Sequence, residues 1–376
     1  MNRPPVIVLS SIRWGFLWQR HQALSTLFAR AGYPTTFVES TGLSNPRPSR
    51  DSLRKVAARV FHSGKKGRPG EKNLTIYSPL VAPPTSKVFR RINARMLVPR
   101  VVRDLRRMDG PNPIVVVYPP ARTTLDIVSG LEPRLLFYDR ADDYAAFPGV
   151  PKDIAATERE LLRRADIVSC TSTVLLEEVR ASRPDAFLSG PAVDYERFAA
   201  LRGGGHGSVR TVCFFGDVNE ERLDLAILVA VAHAGFGVRL IGRLGRVEKG
   251  FLDTPGIDYR GAVAHAELPE ALAGVDAFVL PYRMNSLTRG ISPAKIYECL
   301  ATGKPVVAAP LPAIAELGEH VYIADTPEGF VEVLREFPAT ETGERVRGRL
   351  DLARANAWAT RFAQIETRIQ GSLSTG

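Results

Sequence analysis

The chain has 376 residues, 45% hydrophobic and 24% charged, which excludes a largely disordered chain and suits two domains better than one core. No apolar run approaches the roughly 18–20 residues of a membrane span, and the start, Met1-Asn2-Arg3-Pro4-Pro5, does not read as a secretory signal. The net charge of +10 is concentrated: residues 46–107 hold 17 Lys/Arg against Asp51, Glu71 and Asp104, a net +14, which implies an anionic partner.

In chain order, Val6–Ser10 reads as a buried strand, followed by a loop with Arg13 and Trp14. Leu24, Leu27, Phe28 and Ala31 then recur at helical spacing, and Gly32 stops the helix. Further strands are expected at Thr35–Glu39, Leu74–Tyr77, Ile114–Tyr118, Leu135–Tyr138 and Ile167–Cys170, with a helix at Asp153–Ala165. Lys87–Met108 reads as two helical pieces broken at Pro99. In the second piece, Val98, Val101, Val102, Leu105 and Met108 form one stripe among Arg100, Arg103, Arg106 and Arg107. Such a basic amphipathic helix suits an anionic membrane surface. The Gly-rich stretch 201–208 marks a boundary, after which the βα rhythm restarts. Strands are expected at Thr211–Phe215, Val238–Ile241, Ile257–Arg260, Ala277–Leu280, Val306–Ala309 and Val321–Ala324, and the C-terminal stretch Arg345–Gln370 is expected to be helical. The cysteines, Cys170, Cys213 and Cys299, lack CxxC spacing. That excludes a disulfide scaffold and a zinc ribbon and fits a reducing cytoplasm.

The expected fold is α/β with two Rossmann-like, doubly wound domains facing across a cleft, where open parallel sheets bind ligands. The boundaries are 1–190, a linker at 191–207, 208–355, and a C-terminal helix at 356–376 crossing back to the first domain. In the second domain, Ser292 suits an N-cap and Pro293 the first helical turn, leaving backbone N–H groups for a phosphate. Lys295 lies in that turn against the helix dipole, which suggests an anion nearby, and Glu298 follows one turn on. In the first domain, Asp139, Asp142 and Asp143 follow a strand; neighbouring carboxylates raise one another's pKa, as a base near neutrality needs. One of them is also expected to cap a helix. His21 is the rival base.

The run S-P-A-K-I-Y-E-C-L-A-T-G-K-P-V-V from Ser292 resembles the nucleotide-sugar motif of GT-B glycosyltransferases, most closely the teichuronic-acid-pathway type. Five more stretches follow in the same order: W-G-F-L-W-Q-R-H-Q from Trp14, Y-D-R-A-D-D-Y from Tyr138, Asp166 to Ser172, Pro191 to Phe198, and Gly216 to Asp224. The resemblance implies a transferase using a nucleotide sugar, UDP-linked, with no metal and no bound cofactor. It places Lys295 and the Ser292 amide end at the diphosphate and Glu298 at the ribose. Gly216, Asp217, Arg243 and Tyr282 complete the donor-binding set. Arg13, Trp14, Trp18 and His21 would meet the acceptor. Arg140-Ala141-Asp142-Asp143 is similar to the R-A-S-D stretch that carries the base in an inverting glucuronosyltransferase of the xanthan pathway, which points to Asp143, then Asp142, as base. Gly290 stands where retaining GT-B enzymes often carry a glutamate.

A lipid-linked glycan acceptor, with 46–107 peripheral on the inner membrane face, would explain the basic segment. The alternatives are a retaining enzyme on a soluble acceptor and a basic nucleic-acid-binding protein. The last lacks interleaved aromatics and any recognised module, so no nucleic acid is expected. A dinucleotide or P-loop enzyme is disfavoured because no G-x-G-x-x-G follows Val6–Ser10 and no G-x4-G-K-[ST] occurs.

Overall fold

The computed structural model describes residues 3–16, 18–39, 66–67, 70–82, 86–202 and 208–375. The expected basic insert over 46–72 lies mainly outside these residues, as do residues 203–207 of the Gly-rich stretch. Two compact units are present: Met1–Ser189 with Phe362–Gly376, and Gly190–Arg361.

In the first unit the chain runs β1 (Val6–Leu9), α1 (Arg20–Arg30), β2 (Thr35–Val38), β3 (Lys66–Gly67), β4 (Leu74–Tyr77), α2 (Lys87–Ile92), α3 (Val98–Asp109), β5 (Ile114–Val117), α4 (Arg122–Leu131), β6 (Leu135–Arg140), α5 (Ile154–Arg164), β7 (Ile167–Cys170), α6 (Thr173–Arg180) and β8 (Phe187–Leu188). Among the described residues these strands form one sheet in the order β3-β4-β2-β1-β5-β6-β7-β8, parallel except for β3 against β4. The central strands, VIVL and IVVV, are buried throughout, as β-branched runs covered on both faces must be. The strand order reverses between β1 and β5. Their following loops flank the crevice where such sheets take ligands.

The second unit runs α7 (Tyr195–Ala199), β9 (Thr211–Phe215), α8 (Leu225–His233), β10 (Gly237–Ile241), β11 (Ile257–Tyr259), α9 (Leu268–Ala271), β12 (Ala277–Leu280), α10 (Lys295–Ala301), β13 (Val306–Ala308), α11 (Pro312–Ala315), β14 (Tyr322–Ile323), α12 (Pro327–Thr340) and α13 (Gly343–Ala355). Its sheet has the order β11-β10-β9-β12-β13-β14, all parallel, with the reversal between β9 and β12. The final helix, α14 (Trp358–Thr375), belongs from Phe362 onward to the first unit, where Phe362 meets the Phe28 ring at 5.1 Å.

Three expectations change. The segment 191–207 is more than a linker: α7 forms within it, and Tyr195 and Phe198 join the second unit's core. The helical stretch expected over 345–370 is two helices, parted close to residue 356, where the C-terminal helix is expected to begin. The break falls at Asn356-Ala357, where the Asn356 carbonyl accepts from Val193 N–H and the Val193 carbonyl from Trp358 N–H, at 3.1 and 3.0 Å. Pro99 does not break its helix either. A wider turn at Asn93–Leu97 joins α2 to α3, and Pro99 falls in the first turn of α3, where its missing N–H costs little. The stripe expected to face a membrane instead faces the core, with Val98, Val101 and Leu105 buried there.

Candidate active site

Next to the second unit's reversal point, on the β10 side of β9, the loop after β9 runs beside the loop after β10. Gly216 N–H donates to Ile241 O at 2.7 Å and Val218 N–H to Arg243 O at 2.8 Å. These loops touch backbone to backbone. A β-carbon on Gly242, whose φ is +142°, would overlap the carbonyl of Gly216. One on Gly216, with φ +129°, would collide with the Lys295 ammonium. Glycine is therefore favoured at both positions by conformation, and at Gly242 by space as well, since the atom it would meet is backbone. Asp217 is half-buried beside Gly216, and Arg243 is exposed on the adjoining loop.

Lys295 is the first residue of α10, so the helix starts later than expected. Ser292 is not its cap; Ala294 holds that position and makes no side-chain capping bond. Ser292 lies half-buried two residues before Ala294, and Ile296 N–H already donates to Pro293 O at 3.0 Å. The lysine itself is well placed. Its Nζ lies 4.0 Å from the Phe214 ring centroid and 5.7 Å from that of Tyr282, which is buried. Aromatic faces hold a cation at about 0.5–2 kcal/mol but do not neutralise it. Among the described residues Lys295 has no carboxylate partner within ion-pair distance, so a half-buried positive charge faces the glycine loop uncompensated.

Glu298 lies one turn along α10 and is also half-buried. Its Oε1 meets His265 Nε2 at 3.1 Å, and His265 Nδ1 meets Arg197 Nη1 at 3.1 Å. Neither His265 nor Arg197 was anticipated. They lie outside the contiguous motif, on the loop after β11 and on α7.

In the first unit the Tyr138–Tyr144 cluster divides by burial. Asp139 is fully buried, accepting from Arg20 Nε and Ser169 Oγ at 2.6 Å each. Arg140 is buried against Glu158 at 2.9 Å, and Tyr138 bonds the same carboxylate at 2.5 Å. These residues anchor the strand end. Asp142 and Asp143 emerge half-buried beyond it. Asp143 Oδ1 accepts from Ala145 N–H at 3.1 Å, capping the short turn Tyr144–Ala146.

His21 is not presented to a ligand. It is 3% exposed, stacked on Tyr118 at 3.5 Å, with Nδ1 at 2.8 Å from Ser10 Oγ. Burial, reinforced by the Arg20 guanidinium, pushes its imidazole down to about 3. Packing thus removes it from the acceptor set. Trp14 is partly packed: its ring lies 5.0 Å from Phe37 and 5.9 Å from Trp18, and its backbone N–H donates to Glu39 Oε1 at 2.9 Å. Arg13 and Trp18 are exposed on the same loop after β1. All three cysteines are buried and unpaired.

Twin parallel α/β sheets place the chain in the GT-B fold class, with Lys295 and Glu298 one turn apart on the helix that follows β12. Within that class, residues 210–337 match the model of the glycosyl transferases group 1 family. The teichuronic acid biosynthesis glycosyltransferase TuaH of Bacillus subtilis is 25% identical over 235 residues, 57% of this chain. The match spans 59% of that relative's length. Two solved structures share the fold at a TM-score of 0.68. Sucrose-phosphate synthase of Thermosynechococcus elongatus is 13% identical, with all of both chains covered. HepE of Anabaena, solved with UDP and glucose, is 12% identical, with 98% of this chain and 100% of that one covered.

Proposed function

We propose that this protein transfers a sugar from a UDP-linked donor to a hydroxyl of a lipid-linked glycan at an anionic membrane face. The observation that carries the donor half is Lys295, a half-buried cation held over Phe214 and facing the glycine loop, with no carboxylate partner among the described residues. A diphosphate supplies the missing charge. Glu298 takes the ribose hydroxyls, and Gly216 lets the backbone approach the donor. Support also comes from HepE, whose structure holds UDP.

The chemistry is a single displacement. The acceptor oxygen bonds to the anomeric carbon as the bond to the diphosphate oxygen breaks. The acceptor proton passes to Asp143, whose Oδ1 is fixed by Ala145 N–H and whose Oδ2 is left to receive it. Lys295 stabilises the leaving diphosphate.

For the acceptor half, the apolar surface lies one element before the expected stripe. Val88, Phe89, Ile92 and Met96 are exposed, the first 63% and the last 53%, beside Lys87, Arg91 and Arg95. This pattern suits an anionic lipid surface.

The test is transfer of a radiolabelled sugar from a UDP-sugar to a polyprenyl-diphosphate-linked glycan. Lys295→Ala and Glu298→Ala should each lower kcat/KM by about 10²–10³. Full activity in both variants would refute the donor assignment.

A further inference from the structure

Glu298 has a neighbour that determines what it can do. Arg197 Nη1 lies 3.1 Å from His265 Nδ1. A guanidinium only donates, so that nitrogen must carry a lone pair. The ring proton of the neutral imidazole is then on Nε2, which lies 3.1 Å from Glu298 Oε1 and donates to it. Arg197 is itself held by Asp194, 3.5 Å from its Nε. The relay Asp194–Arg197–His265–Glu298 thus lies within one unit and joins α7, the loop after β11 and α10. His265 and Glu298 are both largely buried, with 19% and 16% of their side-chain surface exposed, so this bond is shielded from competing water.

We infer that His265, held in its Nε2–H tautomer by Arg197, is a positioning residue that fixes the Glu298 carboxylate for the two ribose hydroxyls of the donor. The inference rests on the reading of Glu298 as the ribose ligand. With Oε1 engaged by His265, the carboxylate is held in place and Oε2 is left for the nucleotide. Without that bond the side chain can rotate, and each ribose hydroxyl must order it on binding.

The experiment compares two probes on each variant by calorimetry: UDP and 2′,3′-dideoxy-UDP. Wild type should prefer UDP by at least about tenfold, the size of hydrogen bonds to a charged group. Glu298→Gln should bring the ratio to within about threefold of unity. His265→Phe keeps a ring beside Phe198 but removes the donor, and should also fall to within about threefold. His265→Gln, whose amide can donate to the same oxygen, should recover most of the preference. A variant that merely folds poorly weakens both probes alike and leaves the ratio unchanged. If His265→Phe keeps the wild-type ratio while Glu298→Gln loses it, this inference fails alone. If Glu298→Gln also keeps it, or wild type shows no preference, the ribose assignment fails and the inference with it.

Discussion

Gly242 is the most stringent single position in the second unit. A side chain there meets both a positive φ and the Gly216 carbonyl. Gly242→Ala should cost about 2–3 kcal/mol and also disturb the glycine loop, lowering the urea midpoint and weakening nucleotide binding together. Unchanged binding would mean that the loop is not part of the donor site. His21 gives a pH prediction. Above about pH 6.5 its ring is neutral in both folded and unfolded states. Below that, the unfolded chain takes a proton that the native ring refuses until about 3. Stability should therefore fall by up to about 1.4 kcal/mol per pH unit across this window. His21→Phe should flatten that slope, read from urea midpoints at about pH 7 and pH 4.5. An unchanged slope would mean that His21 titrates normally in the native state. Lys295 and Glu298 were legible in the sequence because a single helical turn brings them together. His265 and Arg197 were not, because sheet topology alone brings residues 33 and 101 positions upstream of Glu298 into one relay.

Elements were legible where composition left no choice. The strands β7 and β12, fully buried, and β9, buried except at Thr211, fall where runs rich in Ile, Val and Phe predict them. Helix faces were harder, because a stripe shows which residues share a side but not what covers them. The α3 stripe packs into the first unit's core, and the exposed apolar face belongs to α2 and the turn after it. Asn93 explains the orientation. It is fully buried, donating to Ala82 O at 2.7 Å and to Thr123 at 3.0 Å, which turns Val88, Ile92 and Met96 outward. Each cation near an anionic bilayer contributes about 1 kcal/mol. Changing Lys87, Arg91 and Arg95 to Glu should therefore weaken binding to phosphatidylglycerol-rich vesicles by over about a hundredfold. Changing Val88, Phe89, Ile92 and Met96 to Ser should weaken it on neutral vesicles as well. Binding that survives both sets of changes would contradict the membrane reading.

At the scale of the whole molecule, charge is divided along the chain. Residues 1–190 carry a net +13 and residues 191–376 a net −3, so the positive excess lies in the segment that forms most of the first unit. No helix among the described residues is long and apolar enough to cross a membrane. The βα rhythm made both parallel sheets legible, because a buried parallel strand has a continuous apolar signature. Strand order was not legible, since it depends on pairing across long crossovers, yet it is what sets the β9/β12 reversal, beside which the proposed donor would bind. That placement is the central claim. Its most direct test is thermal melting of the intact chain with UDP-, GDP- and ADP-sugars. A cognate donor at about a hundred times its Kd should add about 2.7 kcal/mol, raising Tm by about 3 °C in wild type. In Lys295→Ala the same concentration should give under about 1 °C. A variant that keeps the full shift, or a wild type that no nucleotide sugar stabilises, would contradict the account.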